Sequence, residues 1–233
     1  MAPKVLVVLT SADKYPNGKP TGWYLPEFAH PYHVLAPHAE LTIASPAGGV
    51  APKDPMSVEA FKDDEISVNF LNTKQSLWEK TEKLEKLLGK AGEFDALFYV
   101  GGHGPMFDLA KDPVSQQIIN EFHAANKVVS AVCHGPAALA FVKLPDGTPF
   151  LAGAKVTGFS NSEEDAAQST AEMPFALETE LNKASNGGYQ KAAGNWQKCV
   201  VVDRNGKLIT GQNPASAMGV GEAILKAILP TSS

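Results

Sequence analysis

Three short apolar runs constrain this chain most: Lys4 to Leu9, Phe94 to Val100 and Lys127 to Val132. A strand with one wet face alternates apolar and polar residues; these runs barely alternate, so both of their faces must be covered. Parallel strands sandwiched by helices have that property, and the segments between the runs supply helices. Leu25 to Ala36 reads as one, with Pro26 in its first turn and Pro31 set to bend or interrupt it. Ser76 to Lys90 carries Leu77, Leu84, Leu87 and Leu88 on one face, with Ser76 as N-cap and Glu79 completing a capping box. Val114 to Ala125, Pro136 to Val142, Met173 to Ala184 and Ala215 to Leu229 read as further helices, and Glu40 to Ser45 and Lys155 to Phe159 as further strands. Lys198 to Val202 and Lys207 to Thr210 read as a hairpin, because the Asn205-Gly206 pair between them favours tight primed turns. Val50 to Thr73 reads as an irregular insertion of the kind that lies over a site or an interface. The expectation is an α/β, flavodoxin-like three-layer sandwich: a mostly parallel sheet with helices on both faces, in one domain over 1–233.

Composition narrows the function. The 233 residues suffice for a core that needs no disulfide or metal, and a net charge of -5 gives no basic field for nucleic acid. No apolar stretch approaches the roughly 20 residues of a membrane-spanning helix. The N-terminal run is short for a signal peptide, and Ile228 to Ser233 matches no lipidation or retention signal. The expectation is a cytosolic protein, with entry into the nucleus left open. Only Cys133 and Cys199 occur, and in a reducing compartment they are read singly rather than as a disulfide.

In sheets of this kind the functional crevice lies beyond the carboxyl ends of the strands. Two strands end there in unusual residues, Gly101-Gly102-His103-Gly104 and Cys133-His134-Gly135-Pro136. The second has the layout of a nucleophile elbow: an apolar strand stops, a reactive residue occupies a strained turn, and Pro136 opens a helix. A thiol placed there feels the positive end of that helix, which favours the thiolate. Cys199, in Lys198-Cys199-Val200, reads as an ordinary strand residue. His134 reads equally as base, as a backbone donor to an oxyanion, or as a turn residue. The Gly-rich strand end offers free N–H groups but has neither Walker nor dinucleotide spacing. Six histidines are scattered with no metal-ligand spacing, so neither metal nor cofactor is expected.

Ala131-Val132-Cys133-His134-Gly135-Pro136-Ala137, preceded by Gly102-His103-Gly104, resembles the ThiJ/PfpI superfamily, in its heat-shock-type branch of glutathione-independent glyoxalases (glyoxalase III, D-lactate dehydratase). Lys19-Pro20-Thr21-Gly22 through Glu27 and His30-Pro31, Thr157-Gly158-Phe159 through Glu164-Asp165, and Thr210 to Ser216 resemble three more of its motifs, in order. The resemblance implies Cys133 as nucleophile, His134 as base, a protonated Glu27 as proton shuttle, and Glu164, with Glu163 second, orienting His134. It implies an oxyanion hole from the N–H groups of Gly102 and His134, a 2-oxoaldehyde substrate (methylglyoxal or glyoxal), and a homodimer. Trp23-Tyr24-Leu25-Pro26 stands where relatives often carry an aliphatic stretch, so pocket shape differs. Without the resemblance, Glu27 reads as a solvated carboxylate in a helix's first turn. Three other readings compete: a holdase for unfolded chains, whose activity survives Cys133→Ser; a redox sensor with a Cys133 sulfinate held by Glu27; and a cysteine amidase or peptidase.

Overall fold

The computed structural model describes residues 2–229; Met1 and Pro230 to Ser233, part of the tail read for lipidation signals, lie outside the described residues. Its strands are β1 (Lys4–Val8), β2 (Glu40–Ser45), β3 (Glu82–Lys83), β4 (Ala96–Tyr99), β5 (Val128–Val132), β6 (Val200–Asp203) and β7 (Leu208–Gly211). They form one sheet in the order β3-β2-β1-β4-β5-β7-β6, parallel throughout except where β6 meets β7. The β2-β1-β4-β5-β7 portion is the flavodoxin-like order, with its reversal between β1 and β4. Every residue of β4 and β5 is buried, as is β1 beyond Lys4, which is why these runs lack alternation.

The helices are α1 (Leu25–Leu35), α2 (Pro55–Ala60), α3 (Glu65–Thr73), α4 (Ser76–Glu79) and α5 (Pro105–Asp108). After them come α6 (Pro113–Ala124), α7 (Ala137–Ala140), α8 (Asn161–Ala166), α9 (Leu177–Ala184) and α10 (Ala217–Ile228). The β1-α1-β2 and β4-α6-β5 crossovers run in opposite directions along the sheet, so their right-handedness puts α1 and α6 on opposite faces. α10 packs on α1, and α7 packs on α6 and α9. α1 continues through Pro31 without interruption. Proline has no N–H to give the carbonyl one turn back, but α10 compensates by packing hard against it. A Cβ built on Gly221 would stand 2.9 Å from Pro31 Cα.

Four expectations of local structure fail for tertiary reasons. Ser76 to Lys90 is not one helix: it breaks after α4, where Thr81 exchanges backbone hydrogen bonds with Gly49 and the next two residues join β2 as an edge strand. The expected capping box is absent, and Glu79 accepts instead from Gln75 Nε2 at 2.6 Å. Lys155 to Phe159 is not a strand; it makes a single bridge, Val156 to Tyr189, and its Thr157 and Phe159 N–H groups go to the Thr210 hydroxyl and the Cys133 carbonyl. The segment 50–73 is not irregular. Asp54 and Asp64 cap α2 and α3, accepting from the N–H of Met56 at 2.8 Å and of Ser67 at 2.9 Å. The expected hairpin, by contrast, is present: β6 and β7 pair antiparallel as far as Asp203 and Leu208, and Arg204 and Asn205 in the turn both take positive φ.

The contact between α1 and α10 leads to a stability prediction. Alanine in a helix gains about 0.5–1 kcal/mol over glycine, whereas overpacking costs about 1–3 kcal/mol. Overpacking wins here because the obstructing atom is backbone. Gly221→Ala should lower the stability measured by urea denaturation by about 1–2 kcal/mol, with an unchanged slope.

Candidate active site

β5 delivers Cys133 to the carboxyl edge of the sheet, and the residue turns there with φ 60°. A non-glycine residue held at such an angle costs about 1–3 kcal/mol unless its surroundings enforce it. Cys133 N–H donates to Gly211 O at 2.9 Å, Phe159 N–H donates to Cys133 O at 2.8 Å, and Gly135 N–H donates to Val132 O at 2.8 Å. Gly135 must be glycine, since a Cβ would lie 2.5 Å from the Tyr99 carbonyl oxygen. The elbow expected from the sequence is therefore present.

Glu27 reaches the same point from the first turn of α1, and it is fully buried rather than solvated. Gly101, just after β4, makes room for it: a Cβ there would overlap Glu27 Oε2 and stand 2.8 Å from Cys133 Cβ. Burial pushes the Glu27 carboxyl well above the usual carboxylate range, so it holds its proton. The Cys133 thiol and the N–H groups of Gly101 and Gly102 lie beside it and offset part of that cost, yet neither oxygen makes a full hydrogen bond. Burial also pushes the Cys133 thiol up, with the glutamates around it adding to the effect. Burial thus opposes the thiolate that the turn was expected to favour, and the helix following Cys133 is only a single short turn.

The base stands next in sequence and still reaches back. His134 Nδ1 lies 3.4 Å from Cys133 Sγ, and Nε2 lies 2.6 Å from Glu164 Oε2. Glu164 accepts from a second imidazole, with His103 Nε2 at 2.8 Å from Oε1, and the Tyr15 hydroxyl lies 2.6 Å from His103 Nδ1. Burial opposes a charge on Glu164, but the two histidines outweigh it and hold the carboxyl well below the usual range. Burial pushes His134 down, toward the neutral ring. The consistent arrangement is a neutral His134 that donates from Nε2 and offers Nδ1 to the thiol proton.

Between the two adjacent glutamates the geometry is decisive. Glu163 turns the other way: it completes a capping box with Ser160 and accepts from Gln212 Nε2 at 2.9 Å, Asn213 Nδ2 at 2.8 Å and Trp196 N–H at 2.9 Å. It ties down loops, while Glu164 meets His134. The backbone donors expected at an oxyanion hole differ in condition: the His134 N–H has no acceptor among the described residues, and the Gly102 N–H faces Glu27. Cys199 stays away from this group, half-buried at the edge of the sheet.

These side chains border a cavity of about 100 Å³, closed further by Tyr15, Tyr24, Asp54, Met56 and Trp196. Asp54 and Met56 bring part of the 50–73 segment to the site. His103, Tyr15 and Trp196 carry no role in the sequence reading; only the Gly102-His103-Gly104 spacing hinted at the first. Nδ1 or Nε2 of His103 and His134 and an oxygen of Glu164 lie within 4.8 Å of one another, a set that suits a metal by type. Both oxygens of Glu164 already accept imidazole N–H groups, so an ion would have to break the triad to bind.

A model of the DJ-1/PfpI family matches residues 27–227. The chain belongs to the DJ-1/PfpI family. Within that family it is 33% identical to Glyoxalase 3 of Candida albicans over 96% of this chain and 98% of that protein. It is 32% identical to the glutathione-independent glyoxalase HSP31 of Saccharomyces cerevisiae over 93% of this chain and 94% of that one. The crystal structure of glyoxalase III from Candida albicans superposes with a TM-score of 0.84 at 31% identity, covering 97% of this chain and 98% of that one.

A buried protonated carboxyl makes stability depend on pH. The native protein keeps a proton on Glu27 that the unfolded chain releases above its ordinary value of 4.5, so this group drains stability as pH rises from there. Glu27→Gln, which mimics the protonated form, should melt at higher temperature than wild type at pH 7. That advantage should vanish below about pH 4.5.

Proposed function

We propose that this DJ-1/PfpI protein is a glutathione-independent glyoxalase that converts a small 2-oxoaldehyde, methylglyoxal or glyoxal, to the corresponding 2-hydroxy acid, D-lactate from methylglyoxal. One observation carries the reading: the Cys133 sulfur lies 3.4 Å from the His134 imidazole and beside the fully buried Glu27 carboxyl, at the wall of a cavity of about 100 Å³. That space suits a molecule of a few non-hydrogen atoms and not a polypeptide, which counts against the amidase or peptidase reading. Full-length similarity to proteins named glyoxalases supports it independently.

His134 Nδ1 takes the Cys133 proton as sulfur attacks the aldehyde carbon, and the proton passes to the new alkoxide, giving a hemithioacetal. The free His134 N–H, with that of Gly102, steadies the oxygen while it carries charge. His134, neutral again, takes the hydrogen from the former aldehyde carbon as Glu27 gives its proton to the ketone oxygen, forming an enediol. His134 returns its proton to the second carbon while Glu27 recovers one from the hydroxyl on the first. What remains is a thioester on Cys133, and one water hydrolyses it to the hydroxy acid and the free thiol. The two proton carriers thus serve different atoms: the carboxyl, neutral at rest, works on oxygen, and the imidazole works on sulfur and carbon.

With methylglyoxal and no glutathione, the purified protein should form lactate, resolved as the D-isomer by a chiral assay. Cys133→Ser should form none, and Glu27→Gln should lose about 100- to 10,000-fold in kcat, the usual worth of a positioned proton carrier. Wild-type protein that makes no lactate under these conditions would overturn the proposal.

A further inference from the structure

The cavity beside Cys133 shares three of its wall residues, Tyr24, Trp196 and Pro214, with a larger outer cleft of about 440 Å³. The far side of that cleft is formed by Phe61, just past α2, and by Met218 on α10. We propose that the outer cleft binds the substituent of the 2-oxoaldehyde and that it takes an arylmethyl group, so that 3-phenyl-2-oxopropanal is used better than methylglyoxal. This rests on the proposed glyoxalase reaction and names the substrate class for it, and one arm of its test needs no turnover.

Size divides the two spaces. About 100 Å³ beside Cys133 holds two carbonyl carbons and little more, whereas about 440 Å³ outside has room for a ring. The chemistry of the outer walls matches one. Tyr24 and Phe61 form an edge-to-face pair with centroids 5.9 Å apart, and Met218 adds a thioether, which adapts well to an aromatic partner. The polar side chains of the cleft are already engaged: His30 Nε2 lies 2.8 Å from Asp64 Oδ2, and Asn213 Nδ2 donates to Glu163 at 2.8 Å and to the Gln197 carbonyl at 2.7 Å. A charged or polyhydroxylated substituent would lose water there without replacement, while an aromatic one gains from leaving it. Trp196 stands where the two spaces meet and is 48% exposed, unusual for so large an apolar side chain. Its backbone takes a left-handed φ of 64°, strained for a bulky residue, and Glu163 holds it there by accepting its N–H at 2.9 Å. The indole lies 5.6 Å from the Phe159 ring, centroid to centroid, and Phe159 lies on His134, so one aromatic stack runs from the reacting end to the outer cleft. A methylene between ring and ketone lets the ring rotate out of the plane of the two carbonyls and follow that wall.

The experiment compares kcat/KM for methylglyoxal and for 3-phenyl-2-oxopropanal, the second read as 3-phenyllactate. The balance is that of the reaction above: hydrogen moves from the aldehyde carbon to the ketone carbon, one water is consumed, and no oxidant or reductant takes part. Wild type should favour the aryl substrate by about tenfold, through a lower KM. Met218→Trp, which fills the cleft, and Phe61→Ala, which removes a wall, should each cut that ratio by about tenfold, with thermal melts checking the fold. If one variant does not fold, the other decides. Equal kcat/KM for the two aldehydes, or a ratio that neither variant moves, overturns the proposal. The arm without turnover is calorimetry on wild type, where D-3-phenyllactate should bind about tenfold more tightly than D-lactate and Met218→Trp should erase the difference. If wild type converts neither aldehyde, the glyoxalase reading falls and the binding arm decides the cleft: a preference for phenyllactate that Met218→Trp removes upholds it, and equal binding overturns it.

Discussion

Glu27, Gly101 and Cys133 crowd together with almost no exposed surface, and most of the site follows from that contact. A carboxyl with no solvent and no full hydrogen bond can persist only by keeping its proton. Burial pushes its neighbour, the Cys133 thiol, up for the same reason. The resting site is therefore almost uncharged on the α1 side, and its firm negative charges lie on α8, at Glu163 and Glu164. Three elements meet there because β1, β4 and β5 are parallel neighbours whose carboxyl ends open on the same edge.

The short helix α8 shows how adjacent residues come to unlike work. Glu163 is the third residue of the helix and closes the capping box, which turns it toward the loops carrying Trp196, Gln212 and Asn213. Glu164 is one step, about 100°, further round, and that rotation aims it at the two imidazoles. The loops that Glu163 secures also bound the cavity through Trp196, so the structural carboxylate shapes the space in which the other acts. An aromatic wall completes the arrangement, with the Phe159 ring centroid 4.4 Å from that of His134.

The mouth of the site is built by the part of the chain that looked least ordered. Asp54 begins α2 by capping it and also accepts from the Thr21 hydroxyl at 3.3 Å, which joins the 50–73 segment to the residues before α1. Asp108 makes a comparable tie on the other side, accepting from the Thr10 hydroxyl at 2.8 Å and from the N–H of Ser11 at 2.6 Å. That tie fixes the start of the loop that carries Tyr15. Burial raises the Asp108 carboxyl to about 6.

The buried parallel strands, the elbow at Cys133 and the family were legible from the start, because these are written in contiguous residues: apolar runs without alternation, and a reactive residue beside glycine and proline. Helix caps and loop paths were less legible. Ser76 to Lys90 has the period of a helix, but pairing with β2 and Gly49 offered its backbone better partners than a fourth turn. Folding alone shows which glutamate meets His134 and that His103 and Tyr15 join the network. Each of these depends on distances between residues far apart in the chain and on the exclusion of water, and a linear sequence records neither.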